Sequence, residues 1–367
     1  MANRAIGVGI IGASTQNPGW AMLAHIPAIE ALPEFQLQAV STSNSRSAAT
    51  SAAALGVPAF DSAEALIAHG NVDLVVVSVK VPDHLVLTAA ALQAGKMVFT
   101  EWPLGRTYQE AEDLAERAKR SGLRTVIGLQ ARFSPAVQRA RQLVAEGYIG
   151  DVIATTLTGT GMIWGSEIPR SFACTLDIEN GAGVLPVPTM HGLDALTYVL
   201  GDFATISAEA AIGRSHVQII EDGSIRGATA LDHVAIAGRL KSGAIATVQF
   251  RGAVSRGDNL RWEINGSLGD LVLTASNGNL QVADVHLAGG RGNATTVNSI
   301  PTVTRPEVRA APVSGLGANT FRLYEALAFD LRRGTAVAPD FCQALARHKL
   351  LAAIEEAIKS GTRQPVT

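Results

Sequence analysis

From residue 6 to about residue 130, short apolar runs alternate with segments whose apolar residues recur at helical spacing. Residues 6–11 and 35–40 read as strands, with helical spacing across 21–32 between them. A helix over 47–55 stops at Gly56, and Asp61 with Glu64 forms a capping box for the next helix. The uninterrupted apolar run 74–79 predicts a parallel strand buried on both faces. A helix ending near Gly95, a strand at 97–100, a charged helix capped by Thr107 and Glu110, and a strand at 124–129 continue the alternation. Repeated units of this kind predict a doubly wound, mostly parallel sheet whose ligands lie beyond the C-terminal strand ends. The loops to inspect therefore begin at Gly12, Ser41, Val79, Glu101 and Gln130.

From Asp151 the period drops to two. Strands at 152–158, 231–240, 244–250, 261–265 and 270–275 read as an antiparallel meander. In the second of these, Val234, Ile236 and Leu240 share one face, and His233, Ala235, Ala237 and Arg239 share the other. Helical spacing returns at 319–330 and 340–359. The pattern predicts two domains: a Rossmann-type α/β domain over 1–130 and an α+β domain over 131–367. The second is built on a large, mainly antiparallel open sheet, and its C-terminal helices could pack back on the first. A chain of 367 residues suits that division.

The first strand breaks into Gly12-Ala-Ser-Thr-Gln-Asn-Pro-Gly-Trp20 and then a helix. Glycine at such a turn lets backbone N–H groups approach a diphosphate, and the helix N-terminus adds partial positive charge. With Gly12 as the first turn glycine, the later fingerprint positions fall on Ser14 and Asn17. A literal G-x-G-x-x-G over Gly7, Gly9 and Gly12 would lie inside the strand, where the motif does not belong. After the second strand, Ser41-Thr-Ser-Asn-Ser-Arg46 has no acid to hold an adenosine 2′-hydroxyl. Hydroxyls and Arg46 suit a 2′-phosphate instead, so NADP is expected ahead of NAD; the other reading is a plain polar loop capping the next helix.

Composition narrows the class. At 47 % hydrophobic and 17 % charged residues the chain is not a disordered polymer, and no apolar run approaches the ~20 residues of a membrane helix. The start shows no separate apolar leader, so a cytoplasmic protein is expected. A formal net charge of -2 with interspersed signs leaves no footprint for nucleic acid. Cys174 and Cys342 lie far apart outside any C-x-x-C, which argues against a zinc site or a disulfide framework.

Thr100-Glu101-Trp102-Pro103, Gln130-Ala-Arg-Phe-Ser-Pro135 and Glu146-Gly-Tyr-Ile-Gly150 resemble the glucose–fructose oxidoreductase/inositol dehydrogenase (GFO/IDH/MocA) family. The resemblance covers nearly the whole chain. It implies hydride transfer between a nicotinamide cofactor and a sugar, polyol or related hydroxy/keto compound. It also implies a homodimer or homotetramer formed through the open sheet face. In the family the lysine of Glu-Lys-Pro and an Asp-x-x-x-His supply acid–base groups; here those positions are Trp102, Val187 and His191. Together with the Ser14 turn, Gly19-Trp20 and Gly161-x-x-Trp-Gly165, these departures resemble the subgroup of the fungal galactose-regulon co-repressor. The alternative expectation is therefore an inactive NADP-binding sensor or co-regulator.

His191 is the candidate proton carrier because an imidazole titrates near neutrality. Lys80 follows the fourth strand and could replace the missing lysine's charge. Trp20, Val79, His84, Glu101, Trp102 and Gln130 complete the expected cofactor contacts, with Glu101 at the nicotinamide ribose as the resemblance implies. Asp177 and Glu179 precede His191 in an irregular segment and are further candidates for the pocket.

Overall fold

The computed structural model describes residues 4–302 and 312–366. Two compact units form: Met1–Leu129 with Ala310–Ala346, and Gln130–Arg309 with Arg347–Thr367.

The first unit holds a six-stranded parallel sheet of β1 (Ile6–Ile11), β2 (Phe35–Ser41), β3 (Ala59–Phe60), β4 (Leu74–Val77), β5 (Met97–Glu101) and β6 (Thr125–Gly128). Their spatial order is 3-2-1-4-5-6, so the chain changes direction across the sheet between β1 and β4. Connecting helices are α1 (Ile26–Glu30), α2 (Ser45–Leu55), α3 (Ala63–Ala68), α4 (His84–Gln93) and α5 (Tyr108–Ser121). All four residues of β4 are buried, as the unbroken apolar run requires. Gly7 and Gly9 lie within β1, and a Cβ on Gly7 would fall 1.8 Å from the Asn71 carbonyl oxygen. These glycines serve strand packing, and Gly12 alone opens the turn.

The second unit begins with α6 (Pro135–Ala145) and contains α7 (Met190–Leu200). Its nine-stranded sheet combines β7 (Val152–Thr160), β9 (Phe203–Ala211), β12 (His233–Leu240), β13 (Ile245–Arg251), β14 (Leu260–Gly266), β15 (Gly269–Ala275), β16 (His286–Arg291), β17 (Asn298–Ser299) and β18 (Gln364–Pro365). The short strands β8 (Glu167–Ile168), β10 (His216–Ile219) and β11 (Ile225–Gly227) form a separate small sheet. The large sheet is not the simple meander expected from period-two spacing. β7 sits between β14 and β13 and runs parallel to β13, because residues 252–259 carry the chain across it. β9, absent from the sequence reading, pairs with β12 along its length although Ala and Glu give it a helical composition.

α7 packs on the inner face at Gly192, where a Cβ would lie 3.0 Å from both Leu157 and Phe250. Trp262 is fully buried, and its indole N–H donates to the Thr155 hydroxyl at 2.8 Å. On the outer face Thr156, Ser207, Ala235, Ala237 and Thr247 line a shallow concavity of about 420 Å³. The alternation along β12 matches the expectation, with Val234 and Ile236 buried and Ala235 and Ala237 exposed.

At the chain's end, α8 (Ala318–Arg333) belongs to the first unit, and the division between units falls within α9 (Phe341–Ser360). Among the described residues, no helix is long and apolar enough to cross a membrane.

Candidate functional site

Because β1 and β4 are neighbours whose connections leave in opposite directions, a crevice opens beyond their C-terminal ends. Gly12 forms its first wall with φ +98°, a left-handed conformation that suits glycine. Its N–H donates to the Ser41 carbonyl at 3.0 Å, and a Cβ would fall 2.2 Å from the Ser78 carbonyl oxygen. The rest of the loop is tied to α2. Thr15 N–H donates to Ser51 Oγ at 3.2 Å, and the Gln16 amide donates to Thr50 Oγ1 at 3.1 Å. Ser14 and Asn17 meet each other, the Asn17 N–H donating to Ser14 Oγ at 3.4 Å.

Two polar atoms at this edge, Trp20 Nε1 and Ser78 Oγ, are buried without a hydrogen-bond partner among the described residues. Buried donors of that kind are costly unless something polar meets them. With a glycine turn between a strand and a helix, they fit a dinucleotide.

Beyond β2, Ser41 is buried, Asn44 Oδ1 caps α2 by accepting the Ser47 N–H at 2.9 Å, and Arg46 is exposed in the helix's first turn. The polar-loop reading and the phosphate reading thus describe the same residues. Asn44 and Ser47 do the capping, which leaves the Arg46 guanidinium at the surface.

His84 is buried at the start of α4. Nδ1–H donates to the Pro103 carbonyl at 2.7 Å, and Nε2 lies 3.2 Å from the Val79 carbonyl. It braces the loops after β4 and β5 from behind and offers no surface of its own. Val79 is half-buried and Lys80 is exposed. Trp102 is only 5 % exposed and joined by a cis peptide to Pro103. The Glu101 carboxylate lies over Gly128, where a Cβ would sit 2.5 Å from Oε2, and its Oε1 is 3.0 Å from His25 Nε2.

The remaining candidates belong to the second unit. Gln130 is buried at its start, and His191 is buried near the N-terminus of α7. Before α7, a π-turn over Leu185–Thr189 carries Val187, half-buried, between Pro186 and Pro188. Asp177 and Glu179 are exposed; Asp177 accepts the Glu179 N–H at 3.1 Å and so caps a short 3₁₀ turn.

The sequence reading passed over Asp194, three residues after His191 and fully buried. Arg132 donates to it through two nitrogens at 2.7 and 2.6 Å. Burial pulls the Arg132 guanidinium's pKa down, but the Asp194 charge outweighs this and raises it. Arg347 stands 4.0 Å from Asp194 and donates to Asp202 at 2.6 Å. His25 and Tyr324 were also passed over. Helical i,i+3 spacing from His191 could have pointed to Asp194; nothing local points to Tyr324. Among the described residues no group of three or more His, Cys, Asp or Glu side chains could hold a metal ion.

Comparison with known proteins agrees with this geometry. Residues 6–129 match the model of an oxidoreductase family with an NAD-binding Rossmann fold, and residues 135–275 match that of the Gal80p C-terminal domain. The dehydrogenase aclE of Aspergillus oryzae is 32 % identical over 57 % of this chain, and the chain spans 59 % of its length. The 1,5-anhydro-D-fructose reductase of Ensifer adhaerens is 31 % identical over 72 % of this chain and 74 % of its own. The solved structure of the transcriptional regulator Gal80p from Kluyveromyces lactis superposes with a TM-score of 0.86. It is 26 % identical and covers 100 % of this chain and 95 % of that one.

His84 generates a pH prediction. Burial is the largest influence and lowers its pKa from the ordinary 6.5, against the opposing carbonyls and the charges of Glu101 and Asp83. The unfolded chain therefore takes up a proton as pH falls through 6.5 while the folded chain resists it. This group's contribution to stability is complete above that pH and is lost below it. Urea midpoints should fall between pH 7 and 5, and His84→Gln should flatten the fall by up to about 1.4 kcal/mol per pH unit. Parallel curves for the two proteins would show that His84 is not the titrating group.

Proposed function

The chain belongs to the GFO/IDH/MocA oxidoreductase family, with its NAD-binding Rossmann fold, and we propose that it transfers a hydride between NADP(H) and a sugar-like hydroxy or keto compound. The observation that carries the reading is the Gly12 turn at the sheet's switch point with two buried donors, Trp20 and Ser78, that have no partner among the described residues. When bound, the dinucleotide supplies the hydride acceptor or donor. The protein's part is to hold it and to move a proton. The loop from Gly12 through Ser14 and Asn17 to Trp20 holds the diphosphate, the Gly12, Thr15 and Asn17 N–H groups shaping the loop through their own partners. Ser41 and Arg46 hold an adenosine 2′-phosphate, Val79 and Trp102 flank the nicotinamide half, and Glu101 accepts from its ribose. His191 exchanges the proton with the substrate oxygen, with the Lys80 charge in reserve. The 1,5-anhydro-D-fructose reductase among the relatives supports the sugar-like class.

A second reading has its own support. Trp102 and Val187 stand where the family carries lysine and aspartate, and residues 135–275 match the domain of a regulator. On that reading the chain binds NADP(H) and turns nothing over.

Fluorescence titration should show NADPH binding more tightly than NADH, with Arg46→Ala weakening NADPH alone by ~1–3 kcal/mol, the scale of a charge-assisted contact. Equal affinities in the wild type would remove the 2′-phosphate from the proposal.

A screen of sugars, polyols and keto sugars for NADP(H) absorbance change separates enzyme from regulator. In an active protein, His191→Asn should lower turnover by ~10²–10⁴ with little change in NADPH affinity. Full turnover in that variant would move the proton role to Lys80; no turnover of any compound would favour the regulator.

The exposed small-residue face of the nine-stranded sheet fits a second copy of the chain, since an open face of this extent is rarely left to water. Light scattering should give at least twice the 38.2 kDa chain mass, and Ala237→Arg on that face should return it to monomer. A wild-type monomer at micromolar concentration would refute the pairing.

A further inference from the structure

His25 is fully buried within the first unit, on the π-helical turn Ala21–His25 that follows the glycine loop. Its ring stands edge-on to Phe99 at 5.0 Å and to Tyr324 at 5.8 Å, and Tyr324 packs in turn on Phe35 at 5.2 Å. A histidine in such a place usually satisfies itself on backbone carbonyls. Here both ring nitrogens face side chains: Nδ1 is 2.9 Å from the Tyr324 hydroxyl, and Nε2 is 3.0 Å from Glu101 Oε1. An apolar trio would fill the same space without the cost of desolvating a phenol, an imidazole and a carboxylate. The polar line runs from the aromatic core out to Glu101, whose side chain is 13 % exposed at the C-terminal end of β5.

We propose that His25 and Tyr324 are positioning residues for Glu101, orienting its carboxylate for the ribose hydroxyls of the dinucleotide. The inference rests on the reading of Glu101 as a dinucleotide contact. Burial, and then the nearby Glu101 charge, hold the Tyr324 pKa well above its ordinary value, so the phenol keeps its proton. Its O–H donates to His25 Nδ1, which assigns the imidazole's own proton to Nε2 and turns it toward Glu101. From the other side, Gly128 pairs with Glu101 across β5 and β6 and leaves room for the carboxylate to lie flat over the strand. The carboxylate is thereby flanked by the imidazole Nε2, at ion-pair distance but oblique to a hydrogen bond, on one side and by a missing side chain on the other. α8, far along the chain, supplies the end of that support.

The experiment is a double-mutant cycle read by NADPH fluorescence titration, with Tyr324→Phe, Glu101→Gln and the pair. Tyr324→Phe keeps the ring against Phe35 and Phe99 and removes only the donor. Glu101→Gln should weaken NADPH about 10-fold or more, and Tyr324→Phe about 3- to 10-fold in the wild-type background but less than about 2-fold beside Glu101→Gln. A structural role alone would give equal factors in both backgrounds, which overturns the inference and leaves Glu101 a contact. Unchanged affinity in Glu101→Gln overturns the reading of Glu101 and the inference together. Long-range ¹H–¹⁵N spectra give an independent readout that needs no dinucleotide: the wild type should show His25 protonated at Nε2 only, and Tyr324→Phe should mix the tautomers. A wild-type Nδ1–H signal also overturns the proposal.

Discussion

The close approach of β1 to the segment that leads into β4 is the constraint on which the first unit depends. Any side chain at Gly7 would occupy the place of the Asn71 carbonyl, and one at Gly9 would press on Leu66 and Val72. Because both positions are bare, β1 can be central, with β2 on one side and β4 on the other. The reversal of direction between those neighbours then follows from topology, and so does the crevice. Gly12 extends the same economy of volume by one residue into the turn. A run of glycines that looks like a ligand motif is thus divided by geometry between strand packing and the turn.

Once the crevice exists, its walls are held by polar contacts made from behind. Ser51 of α2 fixes the glycine loop, and His84 braces the loops after β4 and β5 through two carbonyls. In the second unit a comparable duty falls to charge. Asp194 on α7 is gripped by Arg132 with Arg347 4.0 Å away, so removing Asp194 would leave both guanidinium groups without this buried counter-ion, at a cost of about 3–5 kcal/mol. Buried ion pairs are poor sources of net stability, but this one ties α7, the helix that carries His191, to Arg132 through two parallel contacts.

Legibility in the sequence depended on how local each cause was. The run at β4 and the alternation along β12 could be read because burial on two faces or one leaves a distinct pattern in consecutive residues. Gly12 could be read as a turn because the strand before it had already ended. β9 could not, since its alanines and Glu209 favour a helix, and only pairing with β12 makes them a strand. The insertion of β7 between β13 and β14 is equally non-local, although the length of the segment between those strands was a sign that they do not form a hairpin. Arg132 belongs to a legible motif, whereas its partner Asp194 lies 62 residues away, and only the fold brings the two charges together.

The contact between His25 and Tyr324 joins residues 299 positions apart. During synthesis at about 5–20 residues per second, His25 leaves the ribosome roughly 15–60 s before its hydroxyl partner. The last of the six strands of the first sheet ends at Gly128, well before Tyr324 is made, yet the aromatic wedge between Phe35 and Phe99 is still missing. The dinucleotide half can therefore mature only after the other half has been made. A fragment ending near residue 129 would resemble the nascent chain at that stage, with its sheet assembled around an imidazole still waiting for the last helices.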